Sequence, residues 1–289
     1  MLYAFFGADG KPDRDTMRQQ INRCIASGAQ GIAILGLITE VSALTPGERK
    51  QLISWCAEDL DSRAPLAVTI AGRTAQEQID LARYAIEHGA DWLILQPPIG
   101  DKPDSQTLLR FFDRVMETIS LPAGIQNVPE ILGVGLDCDE VVQLHRQQAH
   151  FTVMKAEGPV SVVKPYIDAL QGEVAVFNGR GGLELTDNLR AGCSGMIPAP
   201  DCADIQIELY QAELNGDKIR ANELYTRILP YVVFAMQTIE FHIVYGKKMF
   251  AKRACIDTAD HRLDNFREEA FFSRRASDWA EAFGPYPGS

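Results

Sequence analysis

Short apolar runs recur along the chain, each followed by a window in which apolar positions repeat with helical spacing. The runs predict strands over Leu2–Phe6, Gly31–Leu37, Leu66–Ile70, Trp92–Gln96, Ala123–Gln126, Phe151–Lys155, Val174–Asn178 and Gly195–Pro198. The windows between them predict helices near Arg14–Ser27, Pro46–Leu60, Ala75–His88, Ser105–Ile119, Asp139–Gln147, Ser161–Leu170, Leu183–Ala191 and Ala203–Asn215. Some helix ends carry their own signals. Thr45-Pro46-Gly47-Glu48 offers an N-cap, a proline at the first helical position and an early acid. Gly89, just past His88, suits a left-handed C-terminal cap.

The strand runs around Ile32–Leu37 and Trp92–Gln96 are apolar without strict alternation, as in a parallel sheet covered on both faces. Eight strands, each followed by a helix, predict an α/β chain of the (β/α)8 TIM-barrel class. An open doubly wound sheet competes, but it would usually carry G-x-G-x-x-G after an early strand, and none stands there. Beyond Asn215 helices take over, near Asp217–Ile239, Phe241–Arg253 and Phe266–Phe283. The expectation is a barrel over residues 1–215 and a C-terminal helical appendage over 216–289, joined at Asn215-Gly216-Asp217. Tyr245 and the aromatic residues near it read as core of that appendage.

Composition narrows the function classes. The 289 residues carry a net charge of −11, which disfavours contact with a phosphate backbone, so no nucleic-acid partner is expected. No apolar run nears the roughly 20 residues a membrane-spanning helix needs. The start, with neither basic n-region nor long apolar core, does not read as a signal peptide, and a cytoplasmic location is the default. Six cysteines without a C-x-x-C pair and five scattered histidines give no metal-ligand spacing, so no metal is expected.

In a barrel of this class the reacting groups gather at the C-terminal ends of the strands. That rule selects Gly36, Leu37, Ile38, Thr39 and Glu40; Gln126 and Asn127; Lys155 and Glu157; and Asn178 with Arg180 in a glycine-rich turn. Lys155 closes the apolar run Phe151–Met154. An amine buried among apolar groups loses the advantage of its charge and can attack a carbonyl. Glu157 lies two residues on, on the same face of an extended chain, where a carboxylate can move protons beside an imine. The same spacing also fits a strand-end Lys155 reaching into solvent with Glu157 as its exposed partner. Thr39-Glu40 can offer a hydroxyl and amides to a carboxylate, or simply cap a helix. Arg180 can clamp an anion, or sit in an ordinary turn. The cluster Lys247, Lys248, Lys252 and Arg253 reads as a solvated face or a subunit contact.

With these residues the chain resembles the dihydrodipicolinate synthase/N-acetylneuraminate lyase family, Schiff-base class I aldolases on a (β/α)8 barrel. The resemblance spans nearly the whole chain. It rests on Glu40-Val41-Ser42-Ala43-Leu44-Thr45-Pro46-Gly47-Glu48-Arg49, on Asn127-Val128-Pro129 and on Lys155. It implies that Lys155 forms an iminium with a 2-oxo acid, and that Gly36 to Glu40 hold the substrate carboxylate. No cofactor is implied, since the lysine imine is the electron sink; a homotetramer or dimer is.

The departures point away from the namesake activity. Gly36-Leu37-Ile38-Thr39-Glu40 stands where members commonly have G-T-T-G-E, Gln126 replaces the usual catalytic tyrosine, and Ile131 replaces an arginine. Gln126 together with Lys155-Ala156-Glu157 is similar to the 2-keto-3-deoxy-L-arabonate dehydratase branch. By that likeness Glu157 removes a C3 proton, Gln126, Asn127 and Asn178 line the substrate, and Arg180 meets its distal end. The expectation is dehydration of a 2-keto-3-deoxy sugar acid. A pyruvate-releasing or pyruvate-dependent aldolase uses the same iminium and is the alternative. A non-catalytic 2-oxo-acid sensor is the alternative of another class.

Overall fold

A computed structural model describes residues 1–288. The chain forms two compact units, one built from Met1–Leu66 with the chain from Pro198 onward, the other from Ala67–Ile197.

The second unit is a run of parallel strands with helices between. β2 (Leu66–Ile70), β3 (Trp92–Leu95), β4 (Ala123–Asn127), β5 (Phe151–Ala156), β6 (Ala175–Asn178) and β7 (Gly195–Met196) lie side by side in chain order. β2 and β4 are buried along their whole length, as in a parallel sheet covered on both faces, with Thr69, Gln126 and Asn127 buried among the apolar residues. The register sets one residue of each strand beside a known neighbour: Leu95 pairs with Ile125, Gln126 with Lys155, and Lys155 with Phe177. The β4–β5 ladder shifts between Ala123 and Gly124, where a Cβ would collide with the Val153 carbonyl. Helices Ala75–Glu87, Ser105–Met116, Cys138–Gln147 and Val160–Leu170 close the connections within a residue or two of expectation, except that the second stops three residues early. Gly89 takes the left-handed conformation its position calls for.

The first unit holds β1 (Ile32–Ile34), whose Ile32 N–H donates to the Pro65 carbonyl. The predicted strand was longer; it ends because Leu35 turns left-handed, with φ 62°. Helix Pro46–Leu60 begins with the expected cap, a complete capping box between Thr45 and Glu48. The predicted strand over Leu2–Phe6 is a correction. The segment is buried, but it forms only an isolated bridge between Phe6 and Pro12 and one bond from Leu2 N–H to the Ala33 carbonyl. The side chain of buried Gln20 explains this. Its amide oxygen accepts from Tyr3 N–H at 2.9 Å and its NH2 donates to the Tyr3 carbonyl at 3.0 Å, occupying the groups a neighbouring strand would use.

The C-terminal helices also belong to this unit. Lys218–Ala235 starts on an Asp217 cap and stops four residues short of the expected end. The expected helix over Phe241–Arg253 is a short turn at Ile239–Phe241, a π-helical turn at His242–Gly246, and Lys247–Arg253. The last helix, Ala270–Phe283, starts four residues late. Tyr245 is buried against Phe234, Phe241, Phe266 and Phe272, the aromatic core that the sequence indicated. Among the described residues no single helix is long and apolar enough to cross a membrane.

Candidate active site

The second unit gathers four sequence-selected or adjacent polar side chains at the C-terminal ends of three neighbouring strands. Lys155 and Glu157 are 6% and 9% exposed at their side chains, and Nζ lies 3.3 Å from Glu157 Oε2. This excludes the solvent-reaching arrangement that spacing left open. Among the described residues, Glu157 is the one side chain paired with that amine. Gln126, the register partner of Lys155, donates from Nε2 to Glu157 Oε2 at 2.5 Å. Its own Oε1 accepts from Gln96 Nε2 at 2.7 Å. Gln96 follows Leu95, so it sits one step further along the row that sets Leu95 beside Ile125. In the row Gln96–Gln126–Glu157–Lys155 the two glutamines and the lysine are buried and Glu157 is nearly so, and hydrogen bonds run unbroken up to the carboxylate.

Gly179 completes the placement of Glu157. A Cβ there would collide with Glu157 Oε1, so the turn after β6 must carry glycine for the carboxylate to lie where it does. The next residue, Arg180, is half-buried and held left-handed at φ 48°. A non-glycine residue there costs of order 1–3 kcal/mol, which the surrounding turn must offset.

Asn127 and Asn178 are placed differently from Gln126. Asn127 Nδ2 donates to the Leu136 carbonyl at 2.9 Å and to Tyr166 Oη at 3.1 Å, while its Oδ1 accepts from Leu136 N–H at 2.9 Å. Asn178 Nδ2 donates to the Gly158 carbonyl and to Asn188 Oδ1, both at 2.9 Å, and its Oδ1 accepts from Gly179 N–H at 2.7 Å. Both amides tie loops at the strand ends. They hold the Lys155 neighbourhood in shape with the groups expected to meet substrate.

In the first unit, the loop Gly36–Glu40 forms a tight turn over Leu37–Thr39. Gly36 is packed against Met1, Leu37 and Ile38 are half-buried, and the Thr39 hydroxyl donates to the Leu2 carbonyl at 2.7 Å. Glu40 is left-handed at φ 56° and fully buried. It is ion-paired to Lys247 Nζ and accepts from Arg262 N–H at 2.7 Å. Lys247 donates also to the Asp260 carbonyl at 2.8 Å and lies over the Phe5 and Phe6 rings. Burial pulls the Lys247 ammonium below its ordinary range, and Glu40 only partly restores it.

This overturns the reading of the basic cluster as a solvated face. Lys247 is completely buried, and Arg253 is buried and paired with Asp204 through two bonds, of 2.8 and 2.5 Å. Only Lys248 and Lys252 reach the surface, paired with Glu268 and Glu281. Sequence reasoning also missed Asp201, buried with His242 Nε2 at 2.8 Å and the Tyr231 hydroxyl. Burial pushes its carboxyl up, but His242 and the hydrogen bonds it receives outweigh burial and hold it low. Glycine at 246, in the π-helical turn, lets Tyr3 and His242 close around it.

The architecture defines the class first. The fold is that of dihydrodipicolinate synthase from Aquifex aeolicus, with a TM-score of 0.91, 19% identity and coverage of 99% of this chain and 97% of that one. It is a (β/α)8 TIM-barrel fold with C-terminal helices. The pyruvate complex of Escherichia coli YagE gives a TM-score of 0.88 at 22% identity over 96% of this chain and 95% of that one. Residues 1–253 match the dihydrodipicolinate synthetase family, and the chain belongs to that family. Its relatives include 4-hydroxy-tetrahydrodipicolinate synthase of Methanopyrus kandleri, 26% identical over 75% of this chain and 73% of that protein. YagE, whose assignment as a 2-dehydro-3-deoxy-D-gluconate aldolase is provisional, is 27% identical over 75% of this chain and 73% of its own length.

Proposed function

We propose that the protein is a lysine-dependent lyase of 2-oxo acids that makes or breaks a carbon–carbon bond beside an imine on Lys155. The observation carrying this is the buried Lys155–Glu157 pair, 3.3 Å apart at the end of an apolar strand. The amine adds to the C2 carbonyl, and loss of water leaves a protonated imine. Glu157 takes a proton from C3, and the C–H electron pair moves through C2 to the imine nitrogen, giving an enamine. Attack of C3 on an aldehyde forms the new carbon–carbon bond, and the aldehyde oxygen takes up a proton. In reverse, loss of the C4 hydroxyl proton breaks C3–C4 and releases the aldehyde. The remaining enamine takes a proton at C3 from Glu157, and water then adds at C2 of the imine and frees pyruvate and the amine.

The names of the relatives, a synthase and an aldolase, support carbon–carbon chemistry over the dehydration expected from sequence. Arg180, in the turn after β6, is proposed to meet the distal end of the substrate. One observation favours dehydration as a second reading. Glu157 stands beside the amine and accepts from Gln126, so one carboxylate can take the C3 proton and hand it to a departing C4 hydroxyl.

Product analysis separates the two. Incubation with 2-keto-3-deoxy sugar acids, followed by NMR, is expected to give pyruvate and an aldehyde. A dehydrated 2-oxo acid without pyruvate overturns the aldolase assignment in favour of the hydro-lyase. Tight binding of a 2-oxo acid with neither product, and no reducible adduct on Lys155, makes the protein a sensor.

A further inference from the structure

We propose that Gln96 is a positioning residue for proton transfer at Glu157, because it dictates which way round the Gln126 amide lies. The inference rests on the roles given above to Lys155 and Glu157. An ionised carboxylate can only accept hydrogen bonds, so Gln126 must turn its NH2 toward Glu157 and its oxygen away. That oxygen meets Gln96 Nε2 at 2.7 Å. Both glutamines are buried, 3% and 1% exposed, so no solvent competes for the choice.

Gln96 is fixed through its main chain. Its N–H donates to the Ile70 carbonyl at 3.0 Å, and its own carbonyl accepts from Gln78 Nε2 at 2.9 Å. These bonds leave its side-chain amide free to act on Gln126 alone among the contacts of the row. Carboxamides neither take nor release protons near neutrality, so the row cannot carry the C3 proton away. Its work is orientation. It holds Glu157 Oε2 against the Lys155 amine, while Gly179 leaves room for Oε1. With Gln126 turned over, its oxygen would face the carboxylate and drive Glu157 from that position, leaving the amine intact.

The prediction is therefore a split between imine formation and proton transfer. Gln96→Met removes the donor and keeps the length of the side chain; Gln96→Glu keeps the shape and, when ionised, can only accept, which draws the Gln126 NH2 away from Glu157. Two measurements are made on wild type and both variants: borohydride trapping with pyruvate, mapped to Lys155, and exchange of the pyruvate methyl protons in D2O by NMR. Trapping is expected in all three proteins. Exchange is expected to fall at least about tenfold in Gln96→Met and further in Gln96→Glu, within the range of misplaced acid–base groups.

Exchange within about twofold of wild type in both variants, with the adduct present, overturns the positioning role. Loss of adduct together with exchange in both variants also overturns it, assigning Gln96 to the fold or to Lys155 itself. Absence of an adduct in wild type would remove the Schiff-base assignment and the inference with it. A wild type that traps and exchanges, beside variants that do the same, removes the inference alone.

Discussion

Among the described residues two lysine–glutamate pairs are buried, and they are built to opposite ends. Lys247 is saturated: Glu40, the Asp260 carbonyl and two aromatic faces surround its amine, and Glu40 is held again by Arg262 N–H. Lys155 has one carboxylate at 3.3 Å, and that carboxylate is aimed by a row of amides and a glycine turn. Burial alone therefore does not identify a reactive lysine. What separates the two pairs is the number of partners around the amine, and the proposed function assigns reactivity to the sparsely partnered one. A fully partnered buried pair ties segments together, and removing one member leaves an uncompensated charge. A sparsely partnered amine retains a nitrogen that can reach an electrophile.

Substitution of each lysine gives the sharpest contrast. Lys155→Ala is expected to leave a folded protein and lower turnover by at least about 10³-fold, since the nucleophile is gone. Circular dichroism and product formation check the two halves of that statement. Glu157→Gln comes next, with the pyruvate adduct retained and C3 proton exchange reduced by about 10²–10⁴-fold. Equal loss of adduct and exchange would make Glu157 a partner of the amine alone.

Lys247→Met shifts the effect from chemistry to stability. Denaturant unfolding should show a loss of about 3–5 kcal/mol, because Glu40 is left buried without its cation. If that variant proved as stable as wild type but inactive, the contrast between the two lysines would collapse. Gly179→Ala should be milder, lowering exchange by roughly tenfold as the new methyl displaces Glu157. A crystal structure of that variant would show the carboxylate moved from Lys155.

The smallest effect concerns acid stability. Hydrogen bonds from Arg262, at 2.7 and 2.9 Å, hold the Glu48 carboxyl down to about 2 from its ordinary 4.5, against the penalty of partial burial. The group is depressed in the folded state, so its stabilisation is complete above about 4.5 and disappears as pH falls toward 2. Glu48→Gln keeps a side chain able to serve the capping box and removes the charge. Thermal melts between those two pH values should flatten in the variant and steepen in wild type.

Much of this was legible in the chain, for reasons that differ by residue. The apolar runs located seven strands, and Thr45 and Gly89 marked helix ends through local chemistry that tertiary contacts did not override. Leu2–Phe6 has the same apolar pattern as a strand, but a distant glutamine takes its backbone groups, and periodicity carries no trace of that. Lys155 and Gln126 stood out because they are polar residues that end apolar strands. Gln96 ends Trp92–Leu95 in the same way, so the rule that selected the others would have found it. Lys247 was hidden by its basic neighbours. Phe250, Ala251 and Ala254, three, four and seven residues on, are all buried, which places Lys247 on the inward face that charge counting ignores.

The central proposal is that Lys155 is the reactive amine and Lys247 the structural one. Reduction of the native protein with borohydride in the presence of pyruvate, followed by peptide mass mapping, tests it directly. The adduct is predicted on the peptide carrying Lys155, with Lys247 unmodified. No adduct from folded protein, or an adduct on Lys247, would contradict it.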